Sequence, residues 1–313
     1  MRYSPAVAAV AASRPGGRRL RHLTERRRFL ASVLISPAVL FIFALVGGPL
    51  VLAVYLSFTN AAAGSLSGKW VGLHNFRDQL SNPLFRDAVW HTFLFTVISQ
   101  AIVLVGAGLL AHALVRSFRG KWILRFFVLL PWAAPVALTT MGFLWFFDPL
   151  ASVLNWFLIH LHIVSAASKP NWIGTHNYAM GSIITIHAWR ILPFATVIFM
   201  AGISSIPPEV DDAAAIDGAT GLKKFWYVSL PLQLPIAIVA LLFGIVFTAT
   251  DMAVVYILTN GNANTDVLTT WAFKTGIEGG SLGTGAAVSL FMLPVLALVA
   301  VGMLVFARRA EVM

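Results

Sequence analysis

Long uninterrupted apolar runs alternate along this chain with shorter polar connections, and the runs have the length of membrane spans. A spanning helix needs about 20 predominantly apolar residues, and six runs qualify: Phe29 to Phe58, Val89 to Leu114, Phe126 to Phe147, Met180 to Ile203, Leu234 to Ile257 and Gly285 to Phe306. Barrel strands would alternate in polarity, which these runs do not. The pattern predicts an all-α integral membrane protein with one six-helix membrane domain over residues 29–309 and no internal repeat. Pro37 and Gly47-Gly48-Pro49 fall inside the first run and predict a kinked helix, tolerable in lipid where neighbouring groups re-satisfy the freed backbone. A further apolar stretch, Val153 to Val164, is too short to span; it suits a helix lying at the surface or packed on the bundle.

Composition agrees. Of the 313 residues 58% are hydrophobic and only 11% charged, where soluble domains carry about a quarter charged residues. The net charge of +10 raises nucleic acid as a partner, and the distribution of basic residues answers it. Eight lie in the tail at residues 1–28, four between the second and third runs (Arg116, Arg119, Lys121, Arg125), two in the polar segment (Lys223, Lys224) and two near the C-terminus (Arg308, Arg309). The other connections hold five, Lys69, Arg77, Arg86, Lys169 and Lys274, and Arg190 sits inside a run. Basic loops stay cytoplasmic, so both termini, including the C-terminal tail at 310–313, and the polar segment are expected there, with lipid headgroups rather than nucleic acid as the basic tail's partner. The chain has no cysteine, which excludes disulfides and thiol chemistry. The first apolar run is longer than a signal-peptide core, so a cleaved signal is not expected.

The polar segment at 204–233 is the one long polar stretch in the second half. Pro208 suits a first helical turn, Glu209, Asp211 and Asp212 place negative charge at a positive helix end, and Ala213, Ala214 and Ala215 propagate the helix. Gly218 permits an abrupt change of direction. A second short helix is expected from Leu222 toward Val228, closed by Pro231, which lacks a donor. Phe225, Trp226, Tyr227 and Val228 give this unit more apolar surface than a solvated loop needs, which fits a protein partner.

Asp212-Ala213-Ala214, Gly218 and Val228-x-Leu230-Pro231 resemble the EAA loop of permease subunits of binding-protein-dependent ABC importers. Trp70-Val71-Gly72-Leu73-His74-Asn75-Phe76 is similar to the aromatic-Val-Gly-Leu-x-Asn-aromatic signature after the first core span of the carbohydrate-uptake members, the maltose and glycerol-phosphate type. The same residues also suit an interfacial anchor. The departures are Asp212 where Glu is usual, Val228 where Ile is usual, and Asn262-Ala263 where Gly-Pro commonly follows Leu258-Thr259-x-Gly261; Asn and Gly there still serve positive backbone angles. The resemblance implies the type I ABC importer permease fold with six transmembrane helices, in a bacterial or archaeal plasma (inner) membrane. It implies ATPase-coupling roles for Glu209, Asp212, Ala213, Ala214, Gly218, Leu230 and Pro231. The implied partners are a second permease subunit forming a heterodimer, a dimeric cytoplasmic ATPase that carries ATP and Mg, and an extracytoplasmic solute-binding protein. No Walker A pattern occurs in this sequence, so ATP hydrolysis is expected on a separate chain.

Such a subunit does no covalent chemistry, and no catalytic residue and no cofactor bound by this chain are expected. Charged groups at membrane depth are costly and face the bundle interior; Arg190 and Asp251 qualify. The resemblance places the substrate path on His187, Arg190, Ile191 and Phe194 of the fourth span and Gly244, Thr248 and Asp251 of the fifth. Their spacings, i, i+3, i+4, i+7 and i, i+4, i+7, each define one helical face. The expected cargo is a sugar, oligosaccharide or polyol, phosphorylated or neutral, with Arg190 and Asp251 on its hydroxyls and Phe194 on its C–H face. The alternative is an Arg190–Asp251 ion pair that locks two helices, and His187 and Gln100 each read equally as satisfied interior polar groups. His160 and His162 are two apart on the chain and point to different faces, so no metal site is expected. The competing function is an ion-coupled secondary transporter or channel, which would need intramembrane carboxylates beyond Asp251 and no element like Asp212 to Pro231.

Overall fold

The computed structural model describes residues 27–310, and the regular elements they form are helices, with one isolated bridge between Thr59 and Trp70. Two compact units divide the chain, residues 1–53 and residues 54–313. In the first, α1 (Arg27–Ile42) passes through a π turn (Phe43–Gly47) into α2 (Gly48–Ser57), whose last residues belong to the second unit. The Gly48-Pro49 pair thus lies just after a π turn within a continuous helix, and α1 itself runs through Pro37. Of the tail at 1–28 expected to meet lipid, residues 1–26 lie outside the described residues, as do the last three residues of the C-terminal tail.

The second unit continues with α3 (His74–Ser81), α4 (Pro83–Val115), α5 (Lys121–Ala133), α6 (Val136–Phe146), α7 (Val153–His160), α8 (His176–Ser204), α9 (Pro208–Ile216), α10 (Gly221–Lys224), α11 (Leu230–Ala249), α12 (Ala253–Leu258), α13 (Leu268–Phe273) and α14 (Leu282–Ala310). Among the described residues five helices are long and apolar enough to cross a membrane, and six if α5 and α6 count as one bent span. The most buried is α8, which packs along α4 and touches α5, α11 and α12, so it is the central helix of this unit. Where α4, α8 and α11 meet, the contact is built from Val103, Ala107, Ala111, Ala188, Ile191, Ala195, Phe199 and Ala240. Small residues let helices approach closely where lipid removes the usual hydrophobic drive. Toward the other end of α8 a larger cluster, including Phe95, Phe147, Ile183, Ile186, Val254, Val255 and Leu258, ties it to α4 and α12.

Three of the predicted elements differ. The third span is not one rod: α5 and α6 meet at a 99° bend, because Pro135 forces Ala134 into an extended conformation (φ −77°, ψ 140°) and offers no N–H. The fifth span breaks at Thr250 to Met252 between α11 and α12. There the Thr248 and Thr250 hydroxyls bond back to the Gly244 and Val246 carbonyls, at 2.7 Å each, a pattern that bends helices. Pro231, finally, does not close a second short helix. α10 runs through a π turn (Phe225–Ser229) straight into α11, with Pro231 in the first turn after the π turn, where its missing N–H is absorbed.

The signature residues after the first span act as a clamp. Trp70 pairs with Thr59 in an isolated bridge and stacks on Phe58 (5.2 Å), while the buried Asn75 amide donates to the carbonyls of Ser57 and Thr59 at 2.8 Å each. In the loop that opens after α12, Asn260, Gly261, Ala263 and Asn264 all adopt positive φ, matching the turn chemistry read from Asn and Gly.

Candidate functional site

Two regions carry the predicted functional residues, and they are built differently. In the first, Pro207 precedes α9 with Pro208 at its first position. The helix ends on Gly218 at φ +72°, the left-handed region that a Cβ disfavours. Ala219 N–H reaches the Ala214 carbonyl (2.8 Å) and Gly218 N–H the Ala215 carbonyl (3.1 Å), which together form a Schellman cap. Ala214 and Ala219 are buried at this cap, completing its usual apolar contact. Glu209, Asp212, Ala213 and Pro231 are exposed and Leu230 is half-buried. Ile216 is 87% exposed and Tyr227 78%, whereas the half-buried Phe225 ring packs edge-on against His112 at 5.4 Å. His112 lies in the last turns of α4, whose C-terminal carbonyls also receive Lys121 Nζ (Val115, 3.1 Å) and Arg125 Nη2 (Leu114, 3.3 Å). Cations there complement the negative helix end.

The second region is a buried hydrogen-bonded chain across α4, α8 and the α11–α12 break. Gln100 Nε2 donates to Thr248 Oγ1 (2.6 Å), which also faces His187 Nε2 (2.8 Å) and the Gly244 carbonyl. His187 Nδ1 faces Asp251 Oδ2 (2.8 Å), and Arg190 Nη2 pairs with the same oxygen. An ionised carboxylate only accepts, so His187 Nδ1 carries a proton and its 3.4 Å approach to Arg190 Nη2 is a contact between donors. Asp251 Oδ1 accepts from the N–H of Ala253 (2.9 Å) and lies 3.4 Å from that of Val254, capping α12, while the Asp251 carbonyl accepts from Thr269 (3.2 Å). The Phe95 ring covers the His187 ring edge-on at 4.8 Å.

All seven residues predicted for the substrate path lie along the α8 and α11–α12 faces, and five of them, His187, Arg190, Gly244, Thr248 and Asp251, join this chain. Their polar atoms are largely engaged with one another: the His187 side chain has no exposure, Asp251 has 5% and Arg190 19%. Ile191 is buried and Phe194 half-buried. Phe194 stacks on Trp132 (4.9 Å), with the Phe247 ring edge-on to it at 5.5 Å. Gln100 enters the site as more than an interior polar group, because it supplies the link to α4; a lone amide within the apolar run of the second span was its signal. Trp132 was missed. One aromatic among many beside a proline carries no periodic signal, and only the α5–α6 bend explains its place. Among the described residues no group of three or more His, Cys, Asp or Glu side chains is arranged to hold a metal ion. His160 bonds its own helix at the Trp156 carbonyl (2.8 Å).

Comparison with known proteins bears on the family and the fold. Residues 103–312 match the family model of the binding-protein-dependent transport system inner membrane component. The chain is 28% identical over 269 residues to the sulfoquinovosyl glycerol transport system permease protein SmoG of Agrobacterium fabrum, covering 85% of this chain and 86% of the relative. It is 29% identical over 279 residues to the sn-glycerol-3-phosphate transport system permease protein UgpA of Brucella abortus, covering 88% and 94%. It is 27% identical over 270 residues to the trehalose/maltose transport system permease protein MalF of Thermococcus litoralis, covering 86% and 90%. Its fold is similar to a chain of a bacterial ABC transporter involved in the import of the acidic polysaccharide alginate, with TM-score 0.77, 19% identity and coverage of 93% and 99%.

Proposed function

Because this chain belongs to the family of inner membrane components of binding-protein-dependent transport systems, we propose that it forms, with a second permease subunit, the translocation path for a carbohydrate or polyol. It is a transport subunit with the fold of an ABC importer permease. In this reading the cargo is a sugar, oligosaccharide or polyol, with or without an anionic group, handed over by an extracytoplasmic binding protein. The transport systems named for the relatives, for sulfoquinovosyl glycerol, glycerol phosphate and trehalose or maltose, support that class. The segment at 204–233 and both termini face the cytoplasm of a bacterial or archaeal cell. A dimeric ATPase docks on that segment, holding ATP and Mg.

The observation that carries the reading is the Schellman-capped α9 followed by a turn into α10, presenting Ile216 and Tyr227 outward while Phe225 is anchored on α4. A rigid, apolar-tipped helix pair tied to the spans from behind is what transmission of ATPase closure requires. Ile216→Asp and Tyr227→Asp are expected to weaken co-purification of the ATPase on the order of tenfold each, the effect of losing about 1.4 kcal/mol, with solute uptake falling in parallel. Full ATPase retention and full uptake in both variants would refute docking on this segment. In this reading Arg190 and Phe194, on the α8 face, meet the cargo, with Trp132 extending the aromatic surface.

A further inference from the structure

The connection between α6 and α8 contains a short, largely apolar helix that turns a hydrophobic stripe outward. In α7 and the residue after it, Val153, Trp156, Phe157, His160 and Leu161 recur at i, i+3, i+4, i+7 and i+8, which is one helical stripe. That stripe faces outward: Trp156 is 54% exposed, Phe157 52% and Leu161 66%. The inward side holds Leu154, packed against the core cluster of Phe95 and Phe147, and one polar side chain, Asn155. Asn155 is 3% exposed; its amide donates to the Pro170 carbonyl (3.0 Å) and its Oδ1 accepts from the Trp172 indole (2.9 Å). Ser152 caps the helix through the Asn155 N–H (3.0 Å) and donates to the Phe146 carbonyl (2.9 Å). A helix in water shows the opposite pattern. Here the hydrogen bonds of Asn155 and Ser152 hold the apolar stripe outward.

We propose that α7 lies in the headgroup zone of the bilayer with its Val153, Trp156, Phe157 and Leu161 stripe inserted among the lipids, anchoring the mouth of the third and fourth spans. Three observations name lipid as the occupant. The exposed surface is continuous with a membrane-spanning element, since Leu138, Met141 and Trp145 form an exposed stripe on α6 and the exposed Leu150 bridges to α7. Eight residues cannot cross a bilayer, and Trp and Phe are the side chains that favour its interface. The stripe's polar member, His160, lays its ring on Trp156 at 3.9 Å, and the exposed Lys169 donates to the Leu150 carbonyl (3.4 Å), which sets a cation beside the stripe where an anionic headgroup would pair with it. This inference needs only that the chain spans a membrane and is independent of the cargo.

The sequence contains no cysteine, so a single introduced thiol can be spin-labelled without removing any native group. Trp156→Cys, Phe157→Cys and Lys169→Cys would each be labelled in the full chain, assembled with its partner subunits in phosphatidylethanolamine/phosphatidylglycerol liposomes. Collisions of the label with oxygen are expected to exceed those with a water-soluble nickel chelate several-fold at positions 156 and 157, and the order to reverse at 169. Two independent stripe positions guard against one variant failing to assemble. Should neither assemble, quenching of the native tryptophans by brominated lipid, compared with Trp156→Phe, reads the same contact; equal quenching in both overturns the proposal. Chelate access at 156 and 157 equal to that at 169 overturns it too. Shielding of 156 and 157 from both reagents, before or after the binding protein is added, assigns the stripe to a protein partner instead.

Discussion

The α9–α10 segment and the Gln100–Thr248–His187–Asp251–Arg190 chain are the two candidate functional regions, and they differ in where their information lies. The α9–α10 segment is linear. Its cap, turn and exposed apolar side chains come from consecutive residues, and its geometry is made by bonds spanning at most five residues, such as Ala219 N–H to the Ala214 carbonyl. The polar chain is assembled across helices, joining residues 148 positions apart at Gln100 and Thr248 and 61 apart at Arg190 and Asp251. A segment of the first kind can be altered locally without the bundle noticing. A chain of the second kind fails as a unit, because each buried group is left unpaired when its partner goes.

The largest expected effect tests that unity. Removing one member of a buried ion pair leaves an uncompensated charge and costs about 3–5 kcal/mol, whereas replacing both partners with neutral groups is often nearly neutral. Arg190→Met alone is therefore expected to reduce the amount of intact complex recovered from the membrane. Arg190→Met combined with Asp251→Asn should restore it, since Asn keeps the oxygen that caps α12 at Ala253. Coupling measured across this double-mutant cycle is the quantity to read. Additive losses would show that the pair is not a lock. Uptake by the restored double variant then separates roles: normal transport removes both groups from the cargo path, and an assembled but inactive complex keeps them on it.

A smaller effect is expected at the α4 end of the same chain. A Cβ on Gly244 would fall onto the Gln100 amide, so Gly244→Ala must displace Gln100 from Thr248. Overpacking of this kind costs about 1–3 kcal/mol. Gln100→Ala in the Gly244→Ala background makes room and should recover part of the loss of complex stability on heating. If the second change only adds to the damage, Gly244 is not there to admit Gln100.

Most of the fold was legible because lipid imposes one rule on every span, a long apolar run with its backbone bonds internal. The interruptions were less so. Pro135 breaks the third span while Pro193 and Pro294 sit inside intact helices, and the residue type does not say which of the three interrupts its span. Pro231 was misjudged for a related reason, since a π turn ahead of it removes the conflict a proline normally creates. At the site, charge cost at membrane depth pointed to Arg190 and Asp251, and the family resemblance put His187 and Thr248 with them, on helical faces that their spacing also allows. That these groups bond to one another, through a single Thr248 hydroxyl and a single Asp251 oxygen, depends on the α11–α12 break, which no spacing rule predicts. Trp132 reaches Phe194 through the α5–α6 bend and was invisible for the same reason.

The smallest expected effect belongs to the linear segment and sharpens the contrast most directly. Gly218 holds φ +72° with open space around it, so an added Cβ meets backbone strain and no neighbour. Gly218→Ala should cost about 1 kcal/mol, the typical penalty of a left-handed conformation, and Gly218→Asn less, because Asn tolerates that region. The complex should stay assembled in both, as a Cβ added at Gly218 meets no neighbouring atom. What the strain does change is the angle at which α9 leaves the turn, so the loss should appear as ATP hydrolysis less tightly tied to uptake, greater for Ala than for Asn. A collapse of assembly in Gly218→Ala, comparable to that of Arg190→Met, would mean that this cap supports the bundle and that the two regions are not separate kinds of site.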